Sequence, residues 1–228
     1  MSGSVRLSLD PASLASYITR QVNAFFPDGE LARASDLMDL FPAVLGRLDH
    51  CFSHVGNRYF FDGETPVFSH LHADQYAMLL YLASFAVGRT PGGRALATKL
   101  FLLNKALHGI DAYFEVELPA VFLFVHPLAS VLGRGTYGEF LLVYQRCGVG
   151  SNHGIYPTLG EYCTLRPGAA VLGNSRLGRN CTVATESLVL DRDIPSNSTY
   201  IGNPRDFVIR PSTDPAAIWR HNPKMEIE

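Results

Sequence analysis

No stretch of about 18 uncharged apolar residues occurs in the chain, and Met1 to Asp10 lack a basic start, an apolar core and a small-residue cleavage site. The expectation is a protein with no membrane partner, soluble and cytoplasmic. Cysteine is sparse: Cys51, Cys147, Cys163 and Cys181 show no C-x-x-C spacing, which excludes a zinc ribbon or a dithiol redox motif. A chain of 228 residues needs no disulfide framework, so all four are expected to be reduced and buried. An excess of charge is missing too. Nineteen Lys and Arg stand against 21 Asp and Glu, leaving no basic surface for a phosphate backbone, and nucleic acid is excluded as a partner. What the sequence does have is apolar residues, 47% of the chain, enough to fill the core of one large or two small domains.

The first half reads as helical. Asp10-Pro11 is a helix start, with a carboxylate to accept orphan backbone N–H groups and a proline where no donor is needed; the helix should run to about Phe25. Ser35-Asp36 opens a second periodic stretch through Leu37, Leu40, Leu45, Leu48 and Phe52, kinked at Pro42. A third helix fits Ala73 to Val87 and a fourth Thr90-Pro91 to His108. His70, His72 and Asp74 precede or open the third helix, and capping and the helix dipole account for them better than a metal does. This gives an α-helical domain over 1–111, then an aromatic, β-branched connecting segment over 112–124.

From Val125 the period changes to six. Val125, Val131, Tyr137, Val143, Val149 and Ile155 form one run; Leu159, Leu165, Val171, Leu177, Val183 and Val189 form another. Four residues after most of these stands a small side chain, among them Ala129, Gly135, Cys147, Cys163, Ala169, Ser175, Cys181 and Ser187. A left-handed parallel β-helix imposes this pattern, because each triangular turn has three six-residue sides with one bulky inward residue and a small one near each corner. The predicted fold is α+β: the helical domain, a β-helix over 125–210 and a C-terminal tail over 211–228. The two runs differ in register by four residues, so Gly150 to Thr158 must protrude as a loop.

Three motifs resemble the serine acetyltransferase group of hexapeptide-repeat acyltransferases. Val125-His126-Pro127-Leu128-Ala129-Ser130-Val131-Leu132-Gly133 resembles its I-H-P-x-A-x-I-G opening, Gly168-Ala169-Ala170-Val171-Leu172-Gly173-Asn174 its G-A-x-I-L-G-N coil, and Asp193-Ile194-Pro195 with Gly202-Asn203-Pro204 its D-I-P and G-N-P closing motifs. The resemblance implies an acetyl-CoA-dependent transferase acting on a hydroxyl or amine of a small polar acceptor, such as an amino acid derivative or a sugar, with a homotrimer or a dimer of trimers as the assembly and no metal. It also marks departures. The family's D-H-A-T-G histidine motif has no counterpart, since Thr136-Tyr137-Gly138-Glu139-Phe140 follows Gly135; Phe124 stands where the orienting Asp is expected, and Tyr156 where a second active-site histidine sits. The alternative is therefore a catalytically degenerate trimeric homologue kept for binding or regulation.

Acyl transfer from a thioester needs a base near the acceptor and donors for the tetrahedral oxyanion. His153 in the protruding loop is the first candidate base, with Asn152 or a loop N–H as oxyanion donor; His126 and Tyr156 are the other catalytic candidates. The resemblance places the pantetheine arm of CoA outside the second run of coils, near Gly173, Ala184, Gly202 and Asn203, with Arg205 as a fork for a CoA phosphate.

Overall fold

A computed structural model describes residues 5–212 and 215–220, so residues 1–4, 213–214 and 221–228, including most of the predicted C-terminal tail, lie outside the described residues. The helical half consists of α1 (Pro11–Phe25), α2 (Ser35–Met38), α3 (Phe41–Ser53), α4 (Ala73–Val87) and α5 (Arg94–His108). α1 starts as expected: Asp10 Oδ1 accepts from the backbone N–H groups of Ala12 at 3.1 Å and Ser13 at 3.0 Å. The kinked helix expected from Ser35 is instead two helices. Pro42 has no N–H to give and fits only a first turn, so α2 ends at Met38 and α3 begins afresh at Phe41. The last helix opens at Arg94 rather than Thr90, because Thr90 Oγ1 donates to Val87 O at 2.8 Å and holds a turn there.

α4 is buried around almost its whole circumference and joins the two halves. Tyr81 Oη donates to Val116 O at 2.7 Å and accepts from Leu118 N at 2.9 Å, while its ring meets Phe122 edge-on at 5.6 Å. Helices and coils thus share one continuous core.

The second half is a parallel coil with three faces. The first face stacks Phe122–Phe124, Leu141–Val143, Thr164–Leu165, Cys181–Val183 and Ser198–Asn203, closed by the antiparallel strand Asp206–Pro211. On the second face lie Asp111–Ala112, Val131–Leu132, Gly148–Gly150, Ala170–Leu172 and Leu188–Leu190; on the third, Thr136–Tyr137, Thr158–Leu159, Arg176–Leu177 and Asp193–Ile194. The first rungs therefore lie in Asp111–Ala112 and Phe122–Phe124, ahead of Val125. Successive turns are set by pairs such as Thr164 with Thr182, a spacing of eighteen, whereas Thr136 pairs with Thr158, a spacing of twenty-two. The four extra residues sit where the sequence placed the loop.

The first coil departs from the strict hexad. Val131 is 49% exposed and Leu132 faces inward, and Ser130 rather than Ala129 takes the small interior position. Phe124 pairs with Val143 and is wholly buried, leaving Val125 half-buried. The slip corresponds to a turn one residue short: Val131 pairs with Gly148 and Leu132 with Val149, a spacing of seventeen in place of eighteen. Ile155 leaves the interior altogether and is 50% exposed in the loop. Gly160 is required by the stacking itself, since a Cβ there would lie 2.7 Å from the backbone of Gly178 in the next coil.

Candidate active site

Three edges run along the coil where its faces meet, and each predicted site residue belongs to one of them. The first edge, between the first and second faces, carries residues 125–130, 144–147, 166–169 and 184–187. Ala129, Arg146, Gly168 and Glu186 form a column of left-handed corner residues there. His126, with φ of 50°, is an additional left-handed residue outside that column. It is held by contacts on both sides: Leu128 N donates to its carbonyl at 2.7 Å, and its own N–H donates to Asp74 Oδ1 at 3.0 Å.

Asp74 comes from the first turn of α4 and its side chain is 8% exposed. Its second oxygen lies 3.8 Å from Nδ1 of His126, whose ring is 79% exposed. Asp74 was missed from sequence as anything but a capping residue. The cap position of α4 is His72, which makes no side-chain capping bond, and Asp74 reaches across to the coil instead. No local pattern joins two residues 52 apart in the chain; only the α4 packing does so.

The second edge carries the protruding loop. Asn152 and Ile155 pair through both backbone bonds at 3.1 and 3.0 Å, making a two-residue hairpin whose tip is His153-Gly154, both with positive φ as such a turn demands. Asn152 Nδ2 donates to Asp191 Oδ2 at 2.6 Å, and Asp191 Oδ1 accepts from Asn174 N at 2.7 Å, so the loop base is tied to the next coils. Gly173 lies within this knot, where a Cβ would come within 2.1 Å of Asp191 Oδ1. His153 and Tyr156 are exposed. His126 and His153 therefore sit on different edges of one protomer.

Of the residues expected to hold CoA, four are on the first edge. Ala184 is in its upper corner, donating its N–H to Tyr200 O at 2.9 Å; Gly202 N donates to Ser187 Oγ at 2.9 Å; Asn203 pairs with Asp206; and Arg205 is exposed at the tip of that final hairpin. Gly173 is the exception, on the second edge. Four strand spacings separate the rung of His126 from that of Asn203, about 19 Å along the edge.

None of the cysteines offers a nucleophile, since all four are buried thiols. Burial raises Cys51 to about 12 and Cys147 to about 11. Among the described residues no three His, Cys, Asp or Glu converge as metal ligands, and no helix is long and apolar enough to cross a membrane. Two further hollows are present: one of about 590 Å³ where helices meet coil, with Arg47, Tyr137 and Glu139, and one of about 670 Å³ where the first face meets the first edge, with Tyr144, Arg166, Thr182, Ala184 and Ala216. The second runs along the first edge through Tyr144, Arg166 and Ala184. His126 itself is open to solvent, so enclosure there requires a further surface.

No family model matches the chain. It is similar to the serine acetyltransferase of Synechococcus elongatus, 32% identical over 113 residues, covering 47% of this chain and 46% of that protein. A serine acetyltransferase of Staphylococcus aureus is 27% identical over 152 residues, covering 64% and 65%. The matches thus span about half to two thirds of the curated relatives' length. A solved serine acetyltransferase in complex with CoA superposes with a TM-score of 0.69 at 16% identity, over 87% of this chain and 84% of that one, which shows a common fold of helical region and parallel coil.

Proposed function

We propose that the chain is an acetyl-CoA-dependent acetyltransferase that acetylates a hydroxyl or amine of a small polar acceptor, an amino acid derivative or a sugar, in the cytoplasm. The observation that carries this reading is the single line formed on the first edge by His126, Ala184, Gly202, Asn203 and Arg205. An extended pantetheine arm laid along that edge, with its phosphates near the Arg205 guanidinium, brings the thioester toward His126. The relatives' names add the acceptor class, an amino acid with a hydroxyl.

The reaction asks little covalent chemistry of the protein. A base takes the acceptor proton as the acceptor atom bonds to the acetyl carbon, the carbon–sulfur bond breaks, and CoA leaves as the thiol once that proton returns. Asn152 uses one of its two amide hydrogens on Asp191 and keeps one for the oxyanion. Exposed Leu128, Val131, Ile155 and Tyr156 flank the second face, an apolar strip that a second copy of the chain would cover. A trimer or a dimer of trimers would set the His153 hairpin and Tyr156 of one protomer opposite the first edge of the next.

Titration calorimetry with CoA, followed by thiol release from acetyl-CoA with L-serine and related amino alcohols, tests the proposal. Saturable binding and acceptor-dependent thiol release are expected. Binding without release for every acceptor would favour the degenerate homologue, to which buried Phe124 in place of an orienting Asp also speaks. An absence of binding would contradict the proposal.

A further inference from the structure

The first coil holds a histidine whose backbone N–H bonds a buried carboxylate from another part of the fold, with a ring nitrogen 3.8 Å from the same group. Asp74 Oδ1 accepts the His126 N–H at 3.0 Å, and Asp74 Oδ2 faces Nδ1 at 3.8 Å. Asp74 is 8% exposed while the His126 side chain is 79% exposed, so a buried carboxylate faces one ring nitrogen, Nδ1, of an imidazole otherwise open to solvent. No other histidine among the described residues lies within ion-pair distance of a carboxylate; the ring of His153 makes no hydrogen bond among the described residues, and the Nδ1 of His108 is spent on Asn104 Oδ1 at 2.8 Å. His126 also adopts a left-handed conformation that its corner column does not require, a strain of the kind that collects at functional sites.

We propose that His126 is the general base and Asp74 its positioning residue, a His–Asp pair built across the domain junction in place of one within the coil. This deepens the acetyltransferase reading and rests on it for the identity of the reaction. A rotation that closes the 3.8 Å gap to hydrogen-bond distance fixes the neutral ring with its proton on Nδ1, leaving the Nε2 lone pair for the acceptor proton. Catalytic hydrogen bonds are commonly long without substrate and tighten when it binds. The charged groups on the packed elements are accounted for elsewhere: Lys105 bonds Asp111 at 2.6 Å, and Arg146 pairs with Glu186.

Asp74→Asn separates positioning from structure, since the amide oxygen can still accept the His126 N–H while the negative charge behind Nδ1 is lost. With acetyl-CoA and L-serine, kcat is expected to fall 100-fold or more, on the order of the contribution of a general base, with KM for acetyl-CoA and the melting temperature nearly unchanged; Asp74→Glu is expected to restore part of kcat. Independently of turnover, nitrogen NMR of labelled imidazole should show wild-type His126 as the Nδ1–H tautomer and Asp74→Asn as mainly the Nε2–H form. An unchanged tautomer in Asp74→Asn would overturn the pair whether or not the protein turns over. A changed tautomer with no thiol release from wild type would keep the pair and reject the acetyltransferase reading.

Discussion

At the residue scale, the register of the first coil makes a sharp test of the packing. Leu132 is 1% exposed inside the coil, whereas Val131, which a strict hexad would bury, is 49% exposed. Within one protomer, Leu132→Ala is expected to cost about 2–5 kcal/mol in urea unfolding and Val131→Ala clearly less, its loss confined to whatever contact a second copy makes. Equal losses at both positions would mean that the hexad had been read in the correct register. The rest of the repeat was legible because a period of six has one steric cause that each coil repeats from Leu159 onward; the slip was not, because it lies in a single seventeen-residue turn, Leu132 to Val149, and an apolar residue stands at both 131 and 132. His108 offers a second test. Burial holds its imidazole down to about 4, so the folded protein refuses a proton that the unfolded chain takes near 6.5. Stability is then complete above about pH 6.5 and declines as the pH falls toward 4, by on the order of 1–2 kcal/mol for a ring partly open to water. Melting curves of wild type should show this decline, and His108→Gln should lack it.

At the scale of elements, the hairpin over 151–157 is an insertion in an otherwise regular edge, since the corresponding corner in the next coil needs only 173–175. Deleting 152–155 restores that shorter corner. The coil is expected to keep its circular dichroism, with a modest loss of melting temperature from the lost Asn152–Asp191 bond, while the KM for the acceptor rises at least tenfold if His153 and Tyr156 meet the acceptor from a neighbouring protomer. Unchanged acceptor kinetics would remove the hairpin from the site. The loop was readable from the four-residue mismatch between two runs. Asp74 was not readable, because its role depends on how α4 docks on the first rung, and docking angles leave no trace in local spacing. The α2–α3 break was half legible: Pro42 marked the place, while a kink and a fresh start look alike until Asp39 and Leu40 are seen outside both helices.

For the whole molecule, the coil is a rigid ruler on which distance along an edge equals coil number times strand spacing. On the acetyltransferase proposal that property would let one edge hold a long, narrow donor, since His126 stands near one end of it and Arg205 near the other. It also leaves the site open on one side, which an assembly of copies would close; sedimentation should give three times the 25.0 kDa chain mass or twice that again, and Val131→Glu should shift it toward the monomer. The most direct test of the account is a crystal structure with CoA bound. The account predicts the pantetheine arm along the first edge with its sulfur within about 4 Å of His126 Nε2. A sulfur on an edge far from every His126 in the assembly, or beside the His153 hairpin alone, would contradict it.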